Sequence, residues 1–151
     1  DGALLTIGTA DMNAGEHEPE TDDIPVGPVG GLDDSGCRTG DVLAGVWKPS
    51  RLQVFDGCHS MTGTVASVRV EDDGDYQVSV VPDAGYQDLL NQRNQTVQHG
   101  GLVVEVIPAD QALVAAPRKG EHVQVTGAFV LDRDHGWLEI HPAWSIVPAP
   151  R

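Results

Sequence analysis

The chain has 151 residues, of which 23 are Asp or Glu and nine are Lys or Arg, so its formal net charge is −14. This balance argues against a protein that binds nucleic acid or anionic lipid through a basic surface, and no run approaches the roughly 18 apolar residues of a membrane-spanning helix. The length accommodates one domain, and 18 Gly and 10 Pro are typical of a turn-rich β protein.

Negative charge is concentrated at the start of the sequence. Residues 1–36 contain nine acidic residues and no Lys or Arg, and their few apolar residues show no sustained period after Leu4, Leu5 and Ile7. Such a segment buries too little apolar surface to offset its ordering entropy. We therefore expect an acidic extended arm or linker over 1–36, with no signal peptide in the sequence as given, and a folded domain over 37–151.

Cys37 and Cys58 are the two cysteines of the chain, and three interpretations of them are open. A disulfide would close a loop of about 22 residues, stabilise the fold by roughly 3 kcal/mol and indicate an oxidising environment. Two unpaired thiols are one alternative, and half of a metal site is another, although the Cys-x-x-Cys spacing of zinc sites is lacking. We expect the disulfide, and with it an extracellular or cell-surface location.

Period-two alternation of apolar residues predicts strands along most of the remaining chain. The predicted strands cover residues 62–70, 76–80, 102–107, 122–131 and 137–141, and 144–147 closes the pattern. The acidic Asp-Gly turn at 71–75 joins the first two as a hairpin. We interpret this turn as solvated, with a calcium contact as the alternative.

Two short stretches are candidates for helices. Tyr86, Leu89 and Leu90 have helical spacing within 84–92, and residues 109–116 are a candidate second helix. Five short strands are too few for an immunoglobulin-like sandwich. The sequence therefore predicts an all-β fold with one or two short helices, a small five-stranded OB-like Greek-key barrel.

Several motifs resemble those of one family. They include Trp47-Lys48-Pro49, Cys58, Asp73-Gly74-Asp75-Tyr76, Gly100-Gly101-Leu102, Val125-Thr126-Gly127 and, most specifically, His-Gly-Trp-Leu-Glu-Ile-His-Pro at 135–142. Over about residues 37–147 the chain is similar to uncharacterised OB-like domains of exported bacterial and archaeal proteins. Gln77 departs from that family, which often has a histidine there. The resemblance implies an exported, disulfide-bearing OB-like domain, which suits a Cys37–Cys58 pair, and it implies no reaction.

The last predicted strand carries the candidate ligand-binding residues. Alternation places Trp137, Glu139 and His141 on one face, and His135 approaches from the preceding turn. An indole can stack on a sugar or a base while the polar pair orients the ligand. Alternatively, Glu139 and His141 bond to each other and Trp137 covers one end of the barrel. A metal site of His135, Glu139 and His141 is disfavoured, since side chains two apart on a strand lie about 6–7 Å from each other.

These observations favour binding over catalysis. We expect an exported, non-enzymatic binding or adaptor domain without cofactor or metal, whose ligand is an oligosaccharide, a peptide or a protein surface. One alternative is a metal-dependent hydrolase or nuclease-like enzyme that uses the histidines and glutamate of the last hairpin. Another is a nucleic-acid-binding OB domain, which fold analogy permits and the negative charge disfavours. A third is an interaction domain tethered by its acidic arm.

Overall fold

Five β-strands form a closed barrel in the computed structural model, which describes residues 31–33 and 35–151. The strands are β1 (Leu52–Val70), β2 (Tyr76–Pro82), β3 (Leu102–Val106), β4 (His122–Asp132) and β5 (Leu138–Pro148). Their order around the barrel is β1-β2-β3-β5-β4. Neighbours are antiparallel except β3 and β5, which are parallel. The predicted all-β, five-stranded OB-like barrel is confirmed. The predictions for residues 1–30 lie outside the described residues.

Strand β1 is longer than predicted, with 19 residues. Its first part pairs with β4 and its second part with β2, so β1 joins the two ends of the strand order and closes the barrel. The register shifts between Val54 and Asp56, between Asp56 and His59, and between Val65 and Ser67. Bulges of this kind bend a strand and interrupt its period-two pattern. This explains why alternation did not reveal the strand before residue 62.

The helical segments differ from the predictions. A 3₁₀ segment spans Ala84–Leu89, and the α-helix α1 spans Gln92–Val97, so the predicted helix over 84–92 is only partly correct. The predicted helix over 109–116 is wrong, because a single 3₁₀ turn (Pro108–Asp110) ends there. The Asp110 carboxylate bonds to Arg38, and the Gln111 amide donates to the carbonyls of Gly74 and Val106, which holds the chain in a turn. None of the described helices has the length and apolar content needed to cross a membrane.

Two apolar clusters hold the domain together. The first fills the barrel and includes Met61, Val78, Val104, Val125 and Ile140. The second lies where the segment before β1 packs on the barrel, and it consists of Cys37, Val46, Leu52, Ile107, Ala109, Ala128, Val130 and Trp144. The predicted disulfide between Cys37 and Cys58 is present, with their Cα atoms 5.6 Å apart. Residues 37–52 therefore cover a barrel face that would otherwise meet solvent.

Candidate functional site

The predicted ligand platform on β5 is not an open surface. Trp137 is 8% exposed, and Glu139 and His141 are buried. The His135 ring stacks on the Trp137 ring with 4.4 Å between centroids, and its Nδ1 lies 2.7 Å from Oδ2 of Asp132. Trp137 is therefore not an accessible face, and the structure agrees with the alternative in which Trp137 is covered and Glu139 and His141 bond to each other.

Glu139 and His141 instead belong to a buried polar cluster, which we call the interior cluster and define as Asp75, Glu105, Glu139 and His141. The Nδ1 atom of His141 lies 3.3 Å from Oε1 of Glu139 and 3.3 Å from Oε2 of Glu105. Its Nε2 atom lies 3.3 Å from Oδ2 of Asp75. One imidazole thus meets three carboxyl groups in the interior.

Pairing between strands brings these four residues together. The parallel register of β3 and β5 places Val103 opposite Glu139 and Val104 opposite Ile140, so Glu105 lies beside His141. Asp75 directly precedes β2, whose first residue, Tyr76, pairs with Val106. The backbone N–H of Asp75 donates to Oδ1 of Asp73 at 3.0 Å, which fixes the end of the turn. The prediction of a solvated turn is therefore wrong for Asp75, which is 2% exposed.

Burial and close charges shift two pKa values in this cluster. Burial raises the pKa of Glu105 to about 9; the charge of His141 opposes this shift, and Glu139 and Asp75 add to it. Burial lowers the pKa of His141, but the contacts with Asp75 and Glu139 and the charges of Glu105 and Glu139 outweigh it and raise that pKa to about 10. At neutral pH the cluster therefore holds protons on both groups, which offset the cost of burying several carboxylates.

Three members of the interior cluster have the geometry of metal ligands. One donor atom each from Asp75, Glu105 and His141 lie within 4.8 Å of one another. The set considered from the sequence, His135 with Glu139 and His141, is not brought together, because the half-exposed His135 turns to Asp132. His141 is the one residue that this set of three shares with the metal site considered from the sequence.

A cleft at the surface reaches one member of the cluster. Its wider part has a volume of about 400 Å³ and is lined by Trp47, Glu71, Asp72 and Asp73. An adjoining part of about 120 Å³ shares three of these walls and adds Arg51, Glu105, Asp132, Asp134 and His135. We call the two parts together the Trp47 cleft. The side chain of Glu105, 11% exposed, connects the cleft to the interior cluster.

Trp47 stands at the mouth of this cleft with 55% of its surface exposed. Lys48 follows it in the left-handed backbone conformation, with φ of 49°, and Pro49 begins a 3₁₀ turn. A lysine in that conformation is strained, and strain of this kind is concentrated at functional sites. The Nζ atom of Lys48 lies 4.7 Å from the indole centroid, and Cζ of Arg51 lies 5.9 Å from it.

The walls of the Trp47 cleft are strongly acidic. Arg51 is its one basic wall residue among those described, and it pairs with Asp132 at 2.8 Å. Burial opposes ionisation of Asp132, but the hydrogen bond from His135 and the charge of Arg51 keep the pKa of that carboxyl below its usual value. Asp72, Asp73 and Asp134 form no ion pair with another described residue. The cleft therefore carries a net negative potential.

Sequence reasoning missed two residues of this site, Glu105 and Trp47, and only Glu105 carried a signal. Glu105 interrupts the otherwise apolar Leu102–Val106 strand, and a charged residue in such a run is rarely buried without a partner. Trp47 belongs to a motif of the sequence, but the exposure of its side chain depends on the fold and is not visible there.

Comparison with protein-family models and with curated proteins finds no match for this chain.

Proposed function

We propose that this protein is an exported, non-enzymatic OB-like binding domain whose ligand is a cationic segment of a peptide or protein, held in the Trp47 cleft. The observation that carries this proposal is a tryptophan exposed at the mouth of a cleft with acidic walls. The Trp47 cleft takes the place of the face of Trp137, Glu139 and His141 that the sequence predicted as the ligand-binding site.

The chemistry of the cleft supports a cationic ligand. The indole ring attracts ammonium and guanidinium groups through its π face, and tryptophan is the most effective aromatic residue for this interaction. Lys48 and Arg51 already lie over the ring, so a ligand cation would have to displace one of these side chains to reach the indole. Asp72 and Asp73 supply opposite charge beside it.

Acidic walls also disfavour the nucleic-acid alternative. A phosphate backbone is bound through clustered Lys and Arg, and the cleft offers carboxylates instead. A neutral oligosaccharide would stack on Trp47 without needing these charges, so we favour the basic peptide or protein segment.

The disulfide supports export. Structural disulfides persist in oxidising compartments and are rare where thiols are kept reduced. The Cys37–Cys58 bond joins the segment before β1 to β1 itself, at the base of the segment that carries Trp47. We infer from this bond, together with the motif resemblance, that the chain belongs among exported OB-like domains.

Calorimetric titration with a tetra-arginine peptide tests the proposal. We expect wild-type protein to bind it, Trp47→Ala to reduce binding about tenfold or more, and Asp73→Asn to weaken it less. Phe55→Ala is the matched aromatic control, because Phe55 is 52% exposed and does not line the cleft. Asp88→Asn removes an exposed charge that does not line the cleft, so it distinguishes attraction to the cleft from attraction to the whole acidic chain.

Equal losses in Asp73→Asn and Asp88→Asn would show attraction to the whole acidic chain and contradict a specific site. Binding of a neutral oligosaccharide that depends on Trp47, with no binding of tetra-arginine, would keep the cleft but reject the cationic ligand. Micromolar or tighter binding of single-stranded DNA at about 0.15 M salt would contradict the cationic ligand and the argument against nucleic acid.

A further inference from the structure

Two buried polar atoms of the interior cluster face each other without a hydrogen bond. Oδ2 of Asp75 and Nε2 of His141 make none with any described residue, and both side chains are almost fully buried, 2% and 0% exposed. Their separation of 3.3 Å brings the two atoms close together without hydrogen-bond geometry. Buried polar atoms in native proteins nearly always have a partner, so this pair requires an explanation.

The other nitrogen of the same ring has a partner. The Nδ1 atom of His141 makes a hydrogen bond of 3.3 Å with the carboxylate of Glu139. In metal sites a ligating histidine donates its second N–H to a carboxylate, which fixes the tautomer and leaves the opposite nitrogen free to bind the ion. Glu139 therefore orients His141 so that Nε2 points toward Asp75.

The spacing of the donor atoms matches a small cation. In a tetrahedral site with bonds of about 2.0–2.1 Å, neighbouring donors lie roughly 3.3–3.4 Å apart. The Asp75–His141 separation of 3.3 Å agrees with this, and the third donor, on Glu105, lies within 4.8 Å. The nearest contact of Glu105 is with Nδ1 of His141 at 3.3 Å, so its carboxylate would have to turn toward Asp75 to complete three ligands, and a water molecule would take the fourth position.

Charge and access also favour a cation. Asp75, Glu105 and Glu139 place three carboxyl groups around one imidazole, and a divalent ion would offset their charge in place of the protons that the cluster otherwise holds. Glu105 is the one ligand that lines the surface cleft, so an ion reaches the cluster along its side chain.

We propose that Asp75, Glu105 and His141 bind one Zn²⁺ ion, with Glu139 as the residue that positions His141. Imidazole and carboxylate donors are typical zinc ligands, and zinc binds such mixed sites more tightly than manganese or iron. This proposal does not rest on the ligand proposed for the Trp47 cleft, although Glu105 belongs to both sites; Asp75 and His141 do not line the cleft.

Calorimetric titration of chelator-treated, full-length protein with ZnCl₂ tests the site. We expect one ion per chain, with affinity reduced about tenfold or more by Asp75→Asn, by Glu105→Gln and by Glu139→Gln. Glu71→Gln is the matched control, because Glu71 lines the cleft but lies outside the donor set. Circular dichroism of each variant establishes that it is folded before titration.

The visible spectrum of bound Co²⁺ depends on the metal ligands themselves, so it distinguishes a ligand from a residue that only supports the fold. Co²⁺ in a site with three protein ligands and one water gives strong visible absorption, and we expect that spectrum in wild-type and Glu71→Gln protein but not in Asp75→Asn. Absence of stoichiometric Zn²⁺ binding by the folded wild-type protein would overturn the proposal. Wild-type affinity in folded Asp75→Asn and Glu105→Gln would also overturn it, since the ion would then lie elsewhere.

Discussion

The guanidinium of Arg38 donates from Nη2 to both carboxylate oxygens of Asp110, at 2.7 and 2.8 Å, and both side chains are buried. Arg38 follows the disulfide residue Cys37, and Asp110 ends the 3₁₀ turn after β3. The same guanidinium lies 5.4 Å from the centre of the Trp144 ring. This pair therefore fastens the segment that carries Trp47 to the barrel.

Removal of Arg38 is expected to destabilise the domain severely. Arg38→Met keeps an apolar side chain over Trp144 but leaves the Asp110 carboxylate buried without its partner, which costs about 3–5 kcal/mol. Urea denaturation measures the loss. Arg118→Met is the control, because the Arg118 side chain is 91% exposed and its ion pair with Glu121 contributes less than about 1 kcal/mol. Similar losses in the two variants would contradict the structural role of the buried pair.

The disulfide is expected to contribute mainly by restricting the unfolded chain. Replacing both cysteines with alanine should lower the free energy of unfolding by about 3 kcal/mol, the value for a loop of roughly 20 residues. Addition of a reductant to the wild-type protein should produce a comparable loss and leave the double variant unchanged. An unfolding midpoint that is insensitive to both changes would show that the bond does not stabilise the fold.

Gly127 lies on β4 where β5 leaves no room for a side chain. A Cβ atom there would lie 2.7 Å from Cγ2 of Ile140 and 2.9 Å from Cα of Ala143, closer than atoms approach without displacement. We expect Gly127→Ala to cost about 1–3 kcal/mol through overpacking. Gly85→Ala is the control, since its Cβ would meet no described atom within 4 Å. Thermal unfolding of the two variants checks this, and equal melting temperatures would contradict the close approach.

The pair of His122 and Asp83 makes stability depend on pH. Nε2 of His122 lies 2.8 Å from Oδ2 of Asp83, and its Nδ1 lies 3.0 Å from the carbonyl oxygen of Ala149. The Ala149 carbonyl and then Asp83 raise the pKa of His122 above its usual range, and the charge of Arg151 opposes them. The hydroxyl of Thr62, and then His122, lower the pKa of Asp83.

The sign of the effect follows from these two directions. A raised histidine pKa stabilises the folded state below the unfolded pKa of about 6.5, and this stabilisation is lost as pH rises through the folded value. The lowered pKa of Asp83 stabilises the fold above about pH 4, so the pair contributes most between roughly pH 4 and 6.5. We expect the difference in unfolding midpoint between wild type and His122→Gln to shrink from pH 5.5 to 8.5. A difference that grows over this range would contradict the assigned shifts.

The fold was predictable where residues act on their near neighbours. Alternation located the strands ending at Val70, Val106 and Asp132, and the Asp-Gly turn before Tyr76 located the hairpin between β1 and β2. The start of β1 was missed because its bulges break the alternation. The helix expected over 109–116 was wrong because a residue 72 positions away, Arg38, holds Asp110 in a turn.

The site was less predictable, because it depends on contacts between distant segments. Parallel pairing of β3 with β5 brings Glu105 beside His141, and no local pattern encodes that pairing. Alternation was right that Glu139 and His141 share a face, since the carboxylate of Glu139 makes a hydrogen bond with Nδ1 of His141. It did not reveal that this face is buried, because its cover depends on pairing and packing with segments remote in the sequence.

The most direct test of the Trp47 cleft is a nuclear magnetic resonance titration of the three tryptophan indole N–H signals with tetra-arginine. Trp47 is 55% exposed, whereas Trp137 and Trp144 are 8% and 4% exposed. We predict that the Trp47 signal shifts progressively and saturates while the other two remain in place. A saturating shift of Trp137 with Trp47 unchanged, or no shift in any of the three, would contradict binding in the cleft.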